Sequence, residues 1–269
     1  MKTLAPVRQP AVAGLFYPAD AAALARDIQA RLAAPSPAVR ARPKALIVPH
    51  AGYVFSGAVA GRAYALLAPL RETIRRVVLL GPAHRVAVRG LALPESEAFA
   101  TPLGPVPIDV AGARAALALP QVVVSDGAHA PEHSLEVQLP FLQTMLGDFV
   151  LLPLVVGMAT AEQVAEVLDL SWGGPETLIV VSSDLSHYHP YGEAQGIDRR
   201  TAEAILAGDA GLEYAQACGA TPINGLLLCA RRRGMTIELL DLRNSGDTAG
   251  DRSRVVGYAA FALGEKADA

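Results

Sequence analysis

Six histidines are the side chains of this sequence best suited to chemistry, and most of them stand where apolar runs end. His50 closes Ile47-Val48-Pro49-His50, and His84 closes Leu79-Leu80-Gly81-Pro82-Ala83-His84. His187 and His189 lie just past Ile179-Val180-Val181-Ser182-Ser183-Asp184. His129 and His133 open a helix-like stretch that runs on to Leu142. Imidazoles converging from separate segments suit a transition metal. The carboxylates nearest these segments are Asp184, Glu132, Glu136 and Asp247. Two histidines and one carboxylate on one face make the triad of non-haem Fe(II) sites, with positions left open for substrate or oxygen. His50, His84 and one Asp fill that pattern. A histidine left off the metal, His187 or His133, is then free to move a proton near neutral pH. Tyr53, in the turn after His50, offers a hydroxyl to a substrate, and Glu136 is a second candidate substrate contact. Each residue also has a plain reading: Asp184 as a turn cap, Ser134 as a helix cap, one of Glu132 and Glu136 on a solvated helix face, Tyr53 in packing, and His129 and His189 on the surface.

These side chains need elements to position them. Ala45–Pro49, Arg76–Gly81, Phe149–Val156 and Thr177–Ser182 read as buried strands, being short, apolar and β-branched. Gly57–Leu70, Thr160–Leu170, Gly192–Ala207 and Thr221–Arg233 read as helices. Thr160 and Gln163 form a capping box, Gly208 and Gly234 close two helices, Thr221 caps one, and Asp209 opens another. Thr236–Leu242 and Arg254–Leu263 are closing strands that pair as neighbours. Leu91–Val110 reads as an excursion from the main sheet. Strands alternating with helices predict an α/β fold in a single domain over residues 1–269, with a central, mostly parallel or mixed sheet and helices on both faces. In such sheets ligands bind beyond the carboxyl ends of the strands. Three strands then deliver a histidine to one edge.

Composition excludes several classes. The 269 residues carry 23 Lys+Arg against 26 Asp+Glu, a net charge of −3, so no basic face points to nucleic acid. The run Arg231-Arg232-Arg233 falls at a predicted helix end, where cations suit the dipole. Cys218 and Cys229 form no CxxC pair and read as buried thiols, which fits the cytoplasm. The stretch Met1 to Phe16 lacks the apolar core of a signal peptide, and the run Phe149–Ala159 is too short to span a bilayer. No GxSxG, GxGxxG or GxxxxGK[ST] occurs, so a serine-hydrolase elbow and the nucleotide fingerprints are missing.

Five blocks carry a family resemblance: Arg8–Pro18, Pro49–Gly57, Gly81–His84, Glu132–Phe141 and Ser182–Tyr188. In order and length they resemble the Memo family, whose bacterial and archaeal members of this kind are called AmmeMemoRadiSam system protein B. The resemblance runs from about residue 8 to about residue 263. It implies a fold similar to the class III extradiol ring-cleaving dioxygenases. It implies Fe(II), or another divalent transition metal, on His50 and His84, with His187 as the proton-transfer group beside Asp184. In animal members the third ligand is a cysteine near the C-terminus. The matching segment here reads Ser245-Gly246-Asp247, so Asp247 takes that place, with Asp251 as the alternative. The implied function is a dioxygenase-like oxidoreductase. The alternatives are a non-catalytic binder of metal, small molecule or peptide, and a maturation partner of a radical SAM protein in the company of an AMMECR-type protein.

Overall fold

The computed structural model describes residues 6–34, 39 and 41–265. Residues 1–5 of the stretch read for a signal peptide therefore lie outside the described residues, as do both ends of the 1–269 span. The strands are β1 (Val7–Arg8), β2 (Pro43–Val48), β3 (Arg76–Pro82), β4 (Leu91–Leu93), β5 (Ala98–Thr101), β6 (Gly104–Pro107), β7 (Val122–Val124), β8 (Val150–Val156), β9 (Thr177–Ser182), β10 (His187–His189), β11 (Thr236–Asn244) and β12 (Val255–Gly264). The helices are α1 (Ala21–Leu32), α2 (Tyr53–Ala65), α3 (Val110–Ala116), α4 (Asp126–His129), α5 (Leu139–Met145), α6 (Ala161–Ser171), α7 (Tyr191–Leu206) and α8 (Ala220–Arg232).

The main sheet runs β10-β12-β2-β9-β3-β8-β4-β7, with β11 paired to β12. Its centre, β2-β9-β3-β8, is parallel, while β12 and β4 join it antiparallel on either side. The expected single α/β domain with a mixed sheet is what forms. Strands β2 and β9 are buried along their whole length, because helices cover both faces. Alternate residues serve opposite cores. Leu46 and Val48 pack with Val59 and Tyr64 of α2 and Phe141 of α5. Ala45 and Ile47 pack with Val164 of α6, Ile205 of α7 and Ile223 of α8. Burying each such Val, Leu or Ile contributes about 1.5–3 kcal/mol.

The sheet fixes where chemistry gathers. Because β2, β9 and β3 are parallel neighbours, the chain leaves all three at one edge, with His50, Asp184 and His84 each two residues beyond its strand.

Several local expectations change. The segment Leu91–Leu93 is a strand of the main sheet, paired with β8 and β7, and only β5 and β6 depart from it, joining β1 in a small sheet. Asp209 opens no helix; its carboxylate accepts from Gly211 N in a turn. Thr221 lies inside α8, whose N-cap is Gly219 without a side-chain cap. The capping box of Thr160 and Gln163 is present on α6, and Arg232 and Arg233 at the end of α8 pair with Asp169. No helix among the described residues is long and apolar enough to cross a membrane.

Candidate metal centre

His50, His84 and His133 each bring one ring nitrogen into a group whose members lie within 4.8 Å of one another. The ring centroids are 5.1 Å apart for His50–His84, 5.5 Å for His50–His133 and 4.7 Å for His84–His133. His50 and His84 come from strand ends, as expected. His133 comes from the loop between α4 and α5. The third member of this group is thus a histidine and not an aspartate.

The surrounding hydrogen bonds decide which nitrogens are free. Ser182 Oγ donates to Ser134 O at 2.6 Å, so it can only accept from its other partners. His50 Nδ1, 2.9 Å from Ser182 Oγ, must then carry the proton, which leaves a lone pair on Nε2. Glu132 acts likewise on His84. Its Oε1 lies 3.0 Å from His84 Nδ1, and its Oε2 accepts from His84 N at 2.6 Å. Glu132 Oε1 also accepts from His133 N and Ser134 N, each at 2.9 Å. Burial works against the Glu132 charge, but these bonds outweigh it and hold the carboxyl down at about 2. An ionised Glu132 makes His84 Nδ1 the donor and frees its Nε2, the arrangement by which carboxylates orient metal-ligating imidazoles. Burial also keeps His50 and His133 neutral, aided by the other imidazoles: His50 falls well below the usual range and His133 to about 4. His133 Nδ1 is buried with no hydrogen-bond partner, 3.4 Å from Glu132 Oε1. Neutral imidazoles presenting lone pairs to a common point, one ring nitrogen orphaned and a carboxylate behind two of them fit a divalent transition metal.

Close packing makes this possible. A Cβ on Gly81 would sit 2.7 Å from Ser134 Oγ, so only glycine lets the loop carrying His133 approach the end of β3. Ser134 is no helix cap. Its hydroxyl donates to Pro82 O at 3.0 Å and its carbonyl accepts from Ser182, which ties the ends of β3 and β9 together.

The three histidines open onto a cavity of about 950 Å³, also lined by Asp184, His187, Cys218 and aromatic residues. Asp184 Oδ1 accepts from His50 N at 2.7 Å, and burial raises its carboxyl to about 7 despite that bond. His187 stands on β10, and burial lowers its pKa. These two expected proton-transfer residues therefore share the cavity with the three histidines. The sequence marks Cys218 only as a buried thiol, yet its Sγ lies 3.3 Å from His50 Nε2. A Cβ on Gly219 would meet Ser183 Cβ at 2.6 Å, so the glycine lets the chain entering α8 press Cys218 toward the strand ends. Burial, and after it the Asp184 charge, pushes the free thiol up to about 12. The Cys-Gly dipeptide ahead of a helix, with a second cysteine deep in that helix, was the available signal.

Other expected residues are placed elsewhere. Asp247 caps its own 3-10 turn, accepting from Asn244 N at 3.0 Å and from the Tyr191 hydroxyl. It does not join the histidines because it lies at a separate small pocket with Gln195 and Arg199, outside the lining of the histidine cavity. Asp251 lines the cavity, but its Oδ1 accepts from Ser253 N and Oγ. Tyr53 is buried in α2, its hydroxyl donating to Val137 O at 2.8 Å, so it reaches no substrate. Glu136 is fully buried, paired with Arg8 and accepting from Ala11 N, Val12 N and the Tyr17 hydroxyl. It anchors the N-terminal segment and faces no ligand. His129 is buried against Ala92 O, not on the surface. His189 lines the cavity wall and pairs with Glu193.

The family model described as Memo-like protein matches residues 8–262. MEMO1 family protein MK0963 of Methanopyrus kandleri is 40% identical over 277 residues, covering 94% of this chain and 98% of that protein. A MEMO1 family protein of Aquifex aeolicus is 38% identical, covering 94% and 97%. Among solved structures, the uncharacterized protein JW3007 of Escherichia coli K12 superposes with a TM-score of 0.56 at 14% identity, over 81% of this chain and 99% of that one, a likeness of fold.

Proposed function

This chain belongs to the Memo family, and from that premise we propose that it holds a divalent transition metal, Fe(II), on His50, His84 and His133 and acts as a dioxygenase-like oxidoreductase. The observation that carries the reading is the set of imidazole lone pairs facing one cavity, two of them aimed by Ser182 and Glu132. Cys218, whose Sγ lies against His50 Nε2, is the fourth candidate donor. A bound Fe(II) would supply Lewis acidity and a redox couple toward a substrate in the cavity.

The remaining work falls to the chain. Glu132 and Ser182 keep His84 and His50 in the tautomers that ligate. Asp184, raised to about 7, can hold or give up a proton near neutral pH. His187, kept neutral, can accept one. Phe16, edge-on to His133 with ring centroids 5.0 Å apart, helps keep water from that side. The two thiols without a disulfide suit a reducing compartment such as the cytoplasm.

The test is anaerobic Fe(II) loading followed by metal analysis and an oxygen electrode. One iron per chain, lost in His50→Ala, with oxygen uptake on some member of an aromatic panel, supports the reading. A wild type that takes up no metal ends it. The exposed apolar rim of Leu15, Val54 and Tyr214 favours a second reading, a peptide-binding adaptor using the same cavity. Stoichiometric iron without oxygen uptake on any compound would point there.

A further inference from the structure

The cavity wall carries two guanidinium groups, Arg85 and Arg254, and two carboxylates, Asp184 and Asp251. One oxygen of each carboxylate is engaged, Asp184 Oδ1 by His50 N and Asp251 Oδ1 by Ser253 N and Oγ. Among the described residues neither guanidinium has an ion-pair partner. Arg254 instead lies over the ring of Tyr188, 5.0 Å from its centroid. Stacking engages the face of a guanidinium and leaves its in-plane N–H fork free, the geometry that takes a carboxylate.

Tyr188 is placed for this by a strained backbone. It is the one non-glycine among the described residues with positive φ, at 64°. The pairing of β10 with β12 slips between His187 and His189, and this irregularity turns Tyr188 outward, 62% exposed. Register slips of this kind recur beside active sites, where they re-aim a side chain. Here the re-aimed ring supports a cation on the wall of the histidine cavity. Phe16, Phe55 and Tyr214 line the same cavity and give it apolar surface.

We propose that the ligand of this cavity is a small organic acid with an apolar or aromatic body, whose carboxylate is taken by the stacked guanidinium of Arg254, with Arg85 as the second cation. The proposal rests on the metal-centre reading only for what the other end of the acid meets. Arg254 and Arg85 are specificity residues, and Tyr188 positions Arg254.

The test titrates the full chain, metal-free and Fe(II)-loaded without oxygen, with phenylacetate and its neutral analogue phenylacetamide. Metal-free wild type is expected to bind the acid roughly tenfold more tightly than the amide, the worth of one charge-assisted contact. Arg254→Gln is expected to bring that ratio near one. Arg254→Lys is expected to fall between, since a point charge replaces the fork. Arg254 is exposed, so these variants should melt with wild type, which the same samples check. Equal binding of the two probes, or no binding of either at millimolar concentration, overturns the proposal. So does an acid preference that survives in an Arg85→Gln, Arg254→Gln double variant. A preference seen only with Fe(II) and indifferent to the arginines assigns the carboxylate to the metal and overturns it as well. Failure to take up metal, with the arginine-dependent preference intact, overturns the metal-centre reading alone and leaves this one supported.

Discussion

Glu132 and Glu136 stand four residues apart, both buried, and they build opposite kinds of cluster. Around Glu136 every strong group is answered: the Arg8 guanidinium bonds to the carboxylate, to His129 O and to Glu132 O, and Tyr17 and two backbone N–H groups complete the set. Around Glu132 the carboxylate is answered, but the imidazoles it orients present unpaired nitrogens to a cavity. The first cluster closes on itself and fastens residues 7–17 to the domain. The second is satisfied from behind and open in front, which is what a ligand site requires.

The contrast can be broken by experiment. The largest effect is expected from His50→Ala, which should abolish stoichiometric Fe(II) binding while leaving a folded chain; retained metal in that variant removes His50 from the ligand set. Next comes Glu136→Ala. It strands a buried Arg8 and should cost about 3–5 kcal/mol in chemical denaturation, with metal stoichiometry unchanged at temperatures where the variant is folded. If Glu136→Ala loses metal but not stability, the division of labour drawn between the two glutamates is wrong.

Glu132→Gln should do the reverse, weakening metal affinity about 10–100-fold through the orientation of His84, measured by competition with a chelator. An unchanged affinity would show that the carboxylate does not set the ligand geometry. The last test is the pH dependence of stability, whose slope is shallow at any one pH. His133 and His129 fall to about 4 in the folded chain from an ordinary 6.5, so the unfolded chain takes up their protons first. Metal-free protein should therefore lose stability as pH falls from 6.5 toward 4, by up to about 1.4 kcal/mol per pH unit for each group, offset in part by Asp184, whose raised carboxyl takes up its proton first in the folded chain. Glu132, at about 2, adds a further loss below its ordinary 4.5. A urea midpoint flat between pH 7 and pH 4.5 would contradict the neutral, buried state of these histidines.

Much of the architecture was legible because local patterns decide it. Buried strands announce themselves as short β-branched runs, and Thr177–Ser182 forms with the bounds its residues suggest. Thr160 and Gln163 cap α6 because both bonds lie within four residues. The strand-end positions of His50 and His84 follow from those runs and the rule that parallel strands leave the sheet at one edge. The third member of the histidine group was not legible in this way. Asp247 has the right residue type but spends both oxygens on Asn244 N and Tyr191, and those bonds depend on how β11 turns into β12. Tyr53 and Glu136 lie in the right segments, but their side chains point into the core.

The sequence alone determined the α/β alternation, the edge at which chemistry gathers and two of its histidines, since these depend on residue type and short spacing. Tertiary structure decided which loop supplies the third imidazole, which cysteine meets His50 and which carboxylate faces the rings and which faces Arg8. Those choices join residues 48 to 168 positions apart, across gaps that only glycines at 81 and 219 leave narrow enough, and no local pattern encodes such a distance.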